Sequence, residues 1–209
     1  LGSRGLGDVY KRQMKKNNTC ILLLLLSTLP LLVTAQSNDW RLVWSDEFNT
    51  EGKLSPSVWN YEQGYARNEE DQWYQPDNAV CKGGLLVIEA RKEQGRRNPL
   101  YVCGSNDWRK KREFVEYTSS SVTTAGKKEF LYGRFEVRAR IPVAKGAWPA
   151  IWMLGSNMEW PSCGEIDLME YYHIRGIPHI LANAAWGTDK KWTAKWDSRA
   201  IPYSHFIKK

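Results

Sequence analysis

Three carboxylates, Glu165, Asp167 and Glu170, stand close together in the stretch GEIDLMEYY, residues 164–172. Their spacing, two and then three, suits neither a regular strand nor a regular helix. On a helix Asp167 and Glu170 would be neighbours, while Glu165 would point about 200° away from Asp167. Gly155, Pro161 and Gly164 just upstream also argue against a helix. On a strand Glu165 and Asp167 share one face and Ile166 and Leu168 take the other, but strict alternation would then bring Met169, not Glu170, onto the acidic face. A one-residue bulge around Leu168–Met169 returns Glu170 to the row, and bulges recur beside active sites in this role.

Like charges at this density repel, and burial raises the pKa of at least one of them. On the hexapeptide alone, a solvated acidic edge or a calcium site is as good a reading as a catalytic row. The flank favours catalysis. Trp148 and Trp152 in AWPAIWMLG sit four residues apart in a strand-like run, share a face and could line a groove of sugar width. Two carboxyl groups across a scissile bond, one with a raised pKa, are the equipment of glycoside hydrolysis: one serves as nucleophile or base and the other protonates the leaving oxygen. Asp167 between them would hydrogen-bond and hold their protonation states apart. With one residue absorbed by the bulge, the Cα atoms of Glu165 and Glu170 lie about 13 Å apart, so strand curvature and side-chain length must bring the tips together. The spacing leaves retention and inversion both open.

The elements that must position this row are strands. LLVIEAR (85–91), TSSSVTT (118–124) and FLYGRFEVRARI (130–141) have β-branched or alternating patterns. In the last, Phe135, Val137, Ala139 and Ile141 alternate with Arg134, Glu136, Arg138 and Arg140. Turn signals at Lys82-Gly83-Gly84, Arg97-Asn98-Pro99, Gly126, Gly146 and Gly155-Ser156-Asn157 separate the runs, and no amphipathic helix longer than two turns is predicted. The expectation is an all-β fold, an antiparallel β-sandwich formed as one domain. Residues 92–113, rich in Lys and Arg, read as a solvated loop.

The start of the chain carries a different signal. MKK at 14–16, the apolar run CILLLLLSTLPLLV and the small-residue close Val33-Thr34-Ala35 read as a secretory signal peptide over 14–35. The apolar core is too short, and is broken by Pro30, for a membrane span. Residues 1–13 read as a non-native or mistranslated extension, which leaves 36–209 as the working domain. Removing residues 1–35 takes away five basic residues and one acid and lowers the formal charge from +7 to +3, too mild to argue for nucleic acid or an anionic membrane. The expected state is a secreted monomer, extracellular or periplasmic. In that oxidising setting a Cys81–Cys103 disulfide is expected, with Cys163 as a small buried residue. No CxxC or recognisable His spacing points to zinc. All eleven Trp fall after residue 35; about half are expected in the core and the rest as stacking platforms for a ring-shaped ligand.

GAWPAIWMLG followed by CGEIDLMEYY resembles glycoside hydrolase family 16, and in particular its bacterial endo-β-1,3-glucanases, the laminarinases. LVWSDEFN (42–49), RNEEDQWYQPDNA (67–79), GLLVIEARKE (84–93) and YGRFEVRARIP (132–142) extend the resemblance in order over nearly all of 40–196. The resemblance implies a curved jelly roll with a substrate groove across its concave face and a retaining double displacement. In it Glu165 is nucleophile, Asp167 its supporting partner and Glu170 general acid/base. Trp148 and Trp152 match groove aromatics, and Asn68 and Glu69 match polar sugar contacts. Met169, the added residue, aligns the chain with laminarinases, agarases and carrageenases rather than with the mixed-linkage and xyloglucan enzymes. In HILANAAWG many relatives carry His where this chain has Ala185, which makes His179 and Asn183 the candidates to face the groove. The implied partner is a β-glucan. No cofactor is required for the chemistry, while some members hold a structural calcium near the region matching Glu47. The resemblance also implies strands beyond residue 209, so a domain truncated at its C-terminus is expected. Agar, carrageenan or mixed-linkage glucan hydrolysis, and glucan binding without catalysis, remain alternatives.

Overall fold

A computed structural model describes residues 40–207. The segments read as an extension (1–13) and a signal peptide (14–35) lie outside the described residues. The chain divides into units at 1–45 and 46–209; in the first, residues 40–45 are described and carry no strand.

In chain order the strands are β1 (Asn60–Tyr61), β2 (Gln72–Tyr74), β3 (Ala79–Cys81), β4 (Leu86–Ile88), β5 (Arg91–Lys92), β6 (Tyr117–Ser119), β7 (Val122–Thr123), β8 (Ala150–Leu154), β9 (Glu165–Ile174), β10 (Ile177–Gly187) and β11 (Ala194–Pro202). The helical content among the described residues is two short 3-10 turns, Pro76–Asn78 and Tyr203–His205. The chain is therefore all-β, as the patterning predicts. β8, β9, β10 and β11 form one antiparallel sheet in the order β11-β10-β9-β8. β2, β6 and β5 form a second sheet, in which β2 and β6 run parallel, and β1-β7 and β3-β4 are separate pairs.

The long β9–β10 hairpin is fixed by its turn. Ile174 pairs with Ile177 across Arg175 and Gly176, whose φ values are 51° and 82°. Two successive left-handed residues make a turn whose twist matches that of the flanking strands, and glycine at the second position lowers its cost. The turn fixes register, and register decides which face the acids take.

The core beside the second sheet is built on Tyr65, Trp73 and Val115, with Trp108 packed against it. The Tyr65 and Trp73 rings meet edge to face at 5.4 Å, a favoured aromatic geometry. Below it the buried Asn78 donates its side-chain amide to the Glu89 carbonyl at 2.9 Å and to Thr118 Oγ1 at 3.0 Å, and the Thr118 hydroxyl donates to Glu93 at 2.6 Å. These bonds satisfy polar groups whose unpaired burial would cost about 1–3 kcal/mol each.

Several expectations fail. Residues 130–141 form no strand. Phe135, Val137, Ala139 and Ile141 do share a side, for they line a cavity of about 380 Å³ faced by Ile151, Leu168 and Met169. No backbone ladder among the described residues pairs with them, and Tyr132 (φ 67°) and Gly133 (φ 133°) interrupt the run. Alternation sorts side chains, but a strand also needs a neighbour. LLVIEAR splits into β4 and β5, and TSSSVTT contributes to β6 and β7. Ile166 and Leu168 lie opposite the acids but remain 51% and 37% exposed. Cys81, Cys103 and Cys163 are all free: Cys81 is buried on β3, Cys103 is exposed in a loop, and Cys163 is half-buried rather than buried. Among the Trp residues, in contrast, Trp73 is buried, Trp44, Trp59, Trp108 and Trp152 are half-buried and six are exposed, a division close to the expected half.

Candidate active site

The acid row is built by β9 and by register shifts on both of its sides. Against β8, Ile151 pairs with Met169 and the next residue, Trp152, pairs with Asp167. Against β10, Leu181 pairs with Glu170 and Asn183 pairs with Asp167. Both neighbours therefore skip one residue of β9 between Asp167 and Glu170, which is the bulge that the two-then-three spacing predicts. Glu165, Asp167 and Glu170 stand on one face, with Trp152 and Asn183 flanking Asp167 and Ala185 directly across from Glu165.

Each glutamate is held by side-chain donors from outside β9. Trp148 Nε1 donates to Glu170 Oε1 at 2.8 Å, and Asn183 Nδ2 donates to Glu170 Oε2 at 2.6 Å. The same Asn183 amide donates to Asp167 Oδ2 at 2.9 Å, so it ties two carboxylates together. Trp160 Nε1 donates to Glu165 Oε2 at 2.6 Å. Asp167 is 4% exposed and Asn183 8%; an unbonded amide or carboxylate would be costly there.

Burial pushes the Glu170 carboxyl above the usual carboxylate range; the Trp148 bond opposes this, the Asp167 charge adds to it, and the Asn183 bond opposes it. Burial likewise raises Glu165, against the Trp160 bond and helped by the charge and hydrogen bonding of Asp167 and the charge of Glu170. Desolvation disfavours the charged form, and donors restore part of its stability. Two acids with raised pKa values, held by indole and amide donors on an open face, are equipped to exchange protons with a bound molecule.

The other expected residues fall into two groups. Trp148 precedes β8 instead of lying within it, yet its indole reaches Glu170 and packs edge to face on Tyr172 at 6.1 Å. His179 sits opposite Tyr172 on the same register line, with Nδ1 2.8 Å from the Ile177 carbonyl. Asn68 and Glu69 are exposed, with φ of 53° and 52°, and no hydrogen bond among the described residues joins them to the row. The Glu69 carbonyl accepts from Arg112 at 2.9 Å. Among the described residues no group of three or more His, Cys, Asp or Glu side chains is placed to hold a metal ion.

Sequence reasoning missed three contributors. Trp160 lies in a Pro-containing loop five residues before Glu165, and only the excess of Trp pointed towards it. Trp196 on β11 approaches Trp160 at 6.5 Å between ring centroids. Arg67 places its guanidinium 5.2 Å from the centre of the Trp152 ring and 5.8 Å from that of Tyr74. Its charge is matched by an ion pair with Glu62, a residue that also accepts from Ser121. Beside it Glu70 accepts from Tyr74 and Gln72, both at 2.9 Å. Burial raises Glu70 and, with the Glu70 charge, pushes Tyr74 up to about 12.

Residues 59–180 match the family described as "XgeA-like, catalytic GH16 domain". The chain is 36% identical to a beta-glucanase of Rhodothermus marinus over 90% of its length and 67% of that protein. It is 41% identical to a glucan endo-1,3-beta-glucosidase of Cryptopygus antarcticus over 63% of its length and 46% of that protein. A solved structure from work on endo-acting O-glycanases of the human gut microbiota that initiate mucin breakdown matches with a TM-score of 0.69 and 37% identity. That match covers 79% of this chain and 60% of the other.

Proposed function

The chain belongs to glycoside hydrolase family 16, and from that premise we propose that it is a secreted, retaining endo-glycosidase that cleaves β-1,3-glucan by double displacement. The observation that carries the proposal is the bulge at Leu168–Met169, which turns Glu170 onto the face of Glu165 and Asp167, where Asn183 bridges Asp167 and Glu170.

In the first step Glu165 attacks the anomeric carbon while Glu170 gives its proton to the departing glycosidic oxygen. The bond from sugar to leaving group breaks as a glycosyl ester to Glu165 forms. In the second step Glu170, now a carboxylate, takes a proton from water, the water oxygen attacks the same carbon, and Glu165 leaves. The raised Glu170 pKa keeps a proton available for the first step. The donors from Trp148 and Asn183 stabilise the carboxylate that forms as the proton departs. Trp160 steadies the charged form of Glu165 and leaves its second oxygen for attack. Trp148 and Trp152 supply faces for sugar rings.

The glucan assignment draws on the bulged strand and on the glucanase relatives. The likeness to the O-glycanase structure favours one second reading, cleavage within a mucin-type glycan. Reducing-sugar release from laminarin, lichenan, agarose, carrageenan and mucin O-glycans separates the two, and release from laminarin is the expected result. Glu165→Ala and Glu170→Ala each abolish release and keep glucan binding. A near-normal rate in Glu165→Ala, or a product of inverted anomeric configuration, would overturn the mechanism.

A further inference from the structure

Residues 92–113, whose Lys and Arg content suits a solvated loop, fold around one buried side chain. Asn98 is 4% exposed. Its side-chain amide donates to the carbonyls of Arg109 and Arg112, both at 2.8 Å, and its side-chain oxygen accepts from Leu100 N at 2.9 Å. Its backbone N–H donates to the Glu113 carbonyl at 3.0 Å, and Val115 N donates to the Arg96 carbonyl at 2.8 Å, which closes the loop. A buried amide with its donors and acceptor paired fixes the backbone around it. The two carbonyls it holds belong to the two arginines that reach out of the loop.

Both arginines grip the segment 65–71. Arg109 donates to the Tyr65 carbonyl at 3.2 Å and to the Ala66 carbonyl at 3.1 Å. Arg112 donates to the Glu69 carbonyl at 2.9 Å and to Asp71 Oδ1 at 2.8 Å. Between these grips Asn68 and Glu69 have φ of 53° and 52°. Consecutive left-handed residues without glycine persist only where the surroundings hold them. Arg67 stands inside the gripped segment, with its guanidinium over the rings of Trp152 at 5.2 Å and Tyr74 at 5.8 Å. Its far end is paired with Glu62, which in turn accepts from the Ser121 hydroxyl and donates its backbone N–H to the Ser121 carbonyl at 3.0 Å. Arg67 is therefore anchored at its backbone and at its charged head, and Trp152, the indole it covers, pairs with Asp167 of the acid row.

We propose that the arginine-bearing loop is a brace for the substrate groove: Arg112, with Arg109, holds 65–71 so that Arg67 lies flat on Trp152 and sets the plane of that indole beside the acids. Arg67 and Arg112 are positioning residues, since they act on the bound chain through Trp152. A guanidinium suits the task because it is planar, can stack on an aromatic face and still donate to a carboxylate from its rim. The sugar-binding role of Trp152 rests on the glycosidase reading above; the brace itself does not.

The test uses the full chain labelled with 5-fluorotryptophan, in which the fluorine line of Trp152 is assigned by its loss in Trp152→Phe. Arg67→Ala, Arg112→Ala and the milder Arg112→Lys each shift or broaden that line, while the lines of Trp186 and Trp196 stay in place and report an intact fold. On laminarin, Arg67→Ala and Arg112→Ala each lower kcat/KM about tenfold, chiefly through KM, and the double variant falls little further. Arg67→Lys recovers little, because an ammonium has no plane to lay on the indole. A Trp152 line that does not move in folded Arg112→Ala or Arg112→Lys, or losses that multiply in the double variant, overturns the proposal. A moved line in a protein that releases sugar from no glycan keeps the brace and overturns the glycosidase reading.

Discussion

Asn183→Ala tests the arrangement at its most connected point. The Asn183 amide donates at 2.9 Å to Asp167 and at 2.6 Å to Glu170, and the side chain is 8% exposed. A hydrogen bond to a charged group is worth about 1.5–3 kcal/mol, and the half-buried position of Glu170 argues for the lower end. If the Glu170 bond strengthens as its proton leaves, losing it costs about 1.5 kcal/mol of transition-state stabilisation, about tenfold in kcat/KM. Loss of the Asp167 bond as well extends this towards a hundredfold. The donor also holds the Glu170 pKa down against burial and the Asp167 charge, so its removal moves that pKa further up. The proton is needed on the acid, so the alkaline limb of kcat/KM moves to higher pH. The assay is reducing-sugar release from laminarin across pH, with thermal melting as a check on folding. A limb that stays in place or moves to lower pH in a folded variant would refute the role given to Asn183 and the assignment of Glu170 as acid.

Glu170→Gln melts higher than the parent at neutral pH. A carboxyl raised in the folded state stabilises the fold fully below its unfolded value of 4.5 and loses that contribution as pH rises through the folded value, so the advantage of Gln disappears in acid; melting scans at both pH values check this. Trp160→Phe keeps a ring beside Trp196 but removes the donor to Glu165, and kcat falls about tenfold in steady-state kinetics. Gly155→Ala drives a Cβ against the Cys163 carbonyl oxygen; a cost of about 2 kcal/mol lowers the melting temperature by roughly 4–8 °C by calorimetry.

The chemistry was legible in one short stretch because a strand has a strict period. With side chains alternating every two residues, the spacing from Glu165 to Asp167 to Glu170 demands one extra residue, and the register of β9 against both neighbours contains it at Leu168–Met169. The all-β class followed from the same periodicity. Period alone failed for 130–141, where the alternating face is present but the ladder is not. It also could not break LLVIEAR and TSSSVTT where pairing breaks them, since a strand exists only by hydrogen bonding to a neighbour.

The donors that tune the acids depended on tertiary structure. Trp148 lies 22 residues from Glu170 in sequence and Asn183 lies 13. Trp160 comes from a loop whose path has no periodic signature. The separation of Cys81 on its strand from Cys103 in its exposed loop is likewise a property of the folded path. Local spacing determined which carboxylates share a face, because that depends only on backbone geometry. Which side chains desolvate them and donate to them was decided by how the loops and neighbouring strands fold back onto β9, which the order of residues does not display.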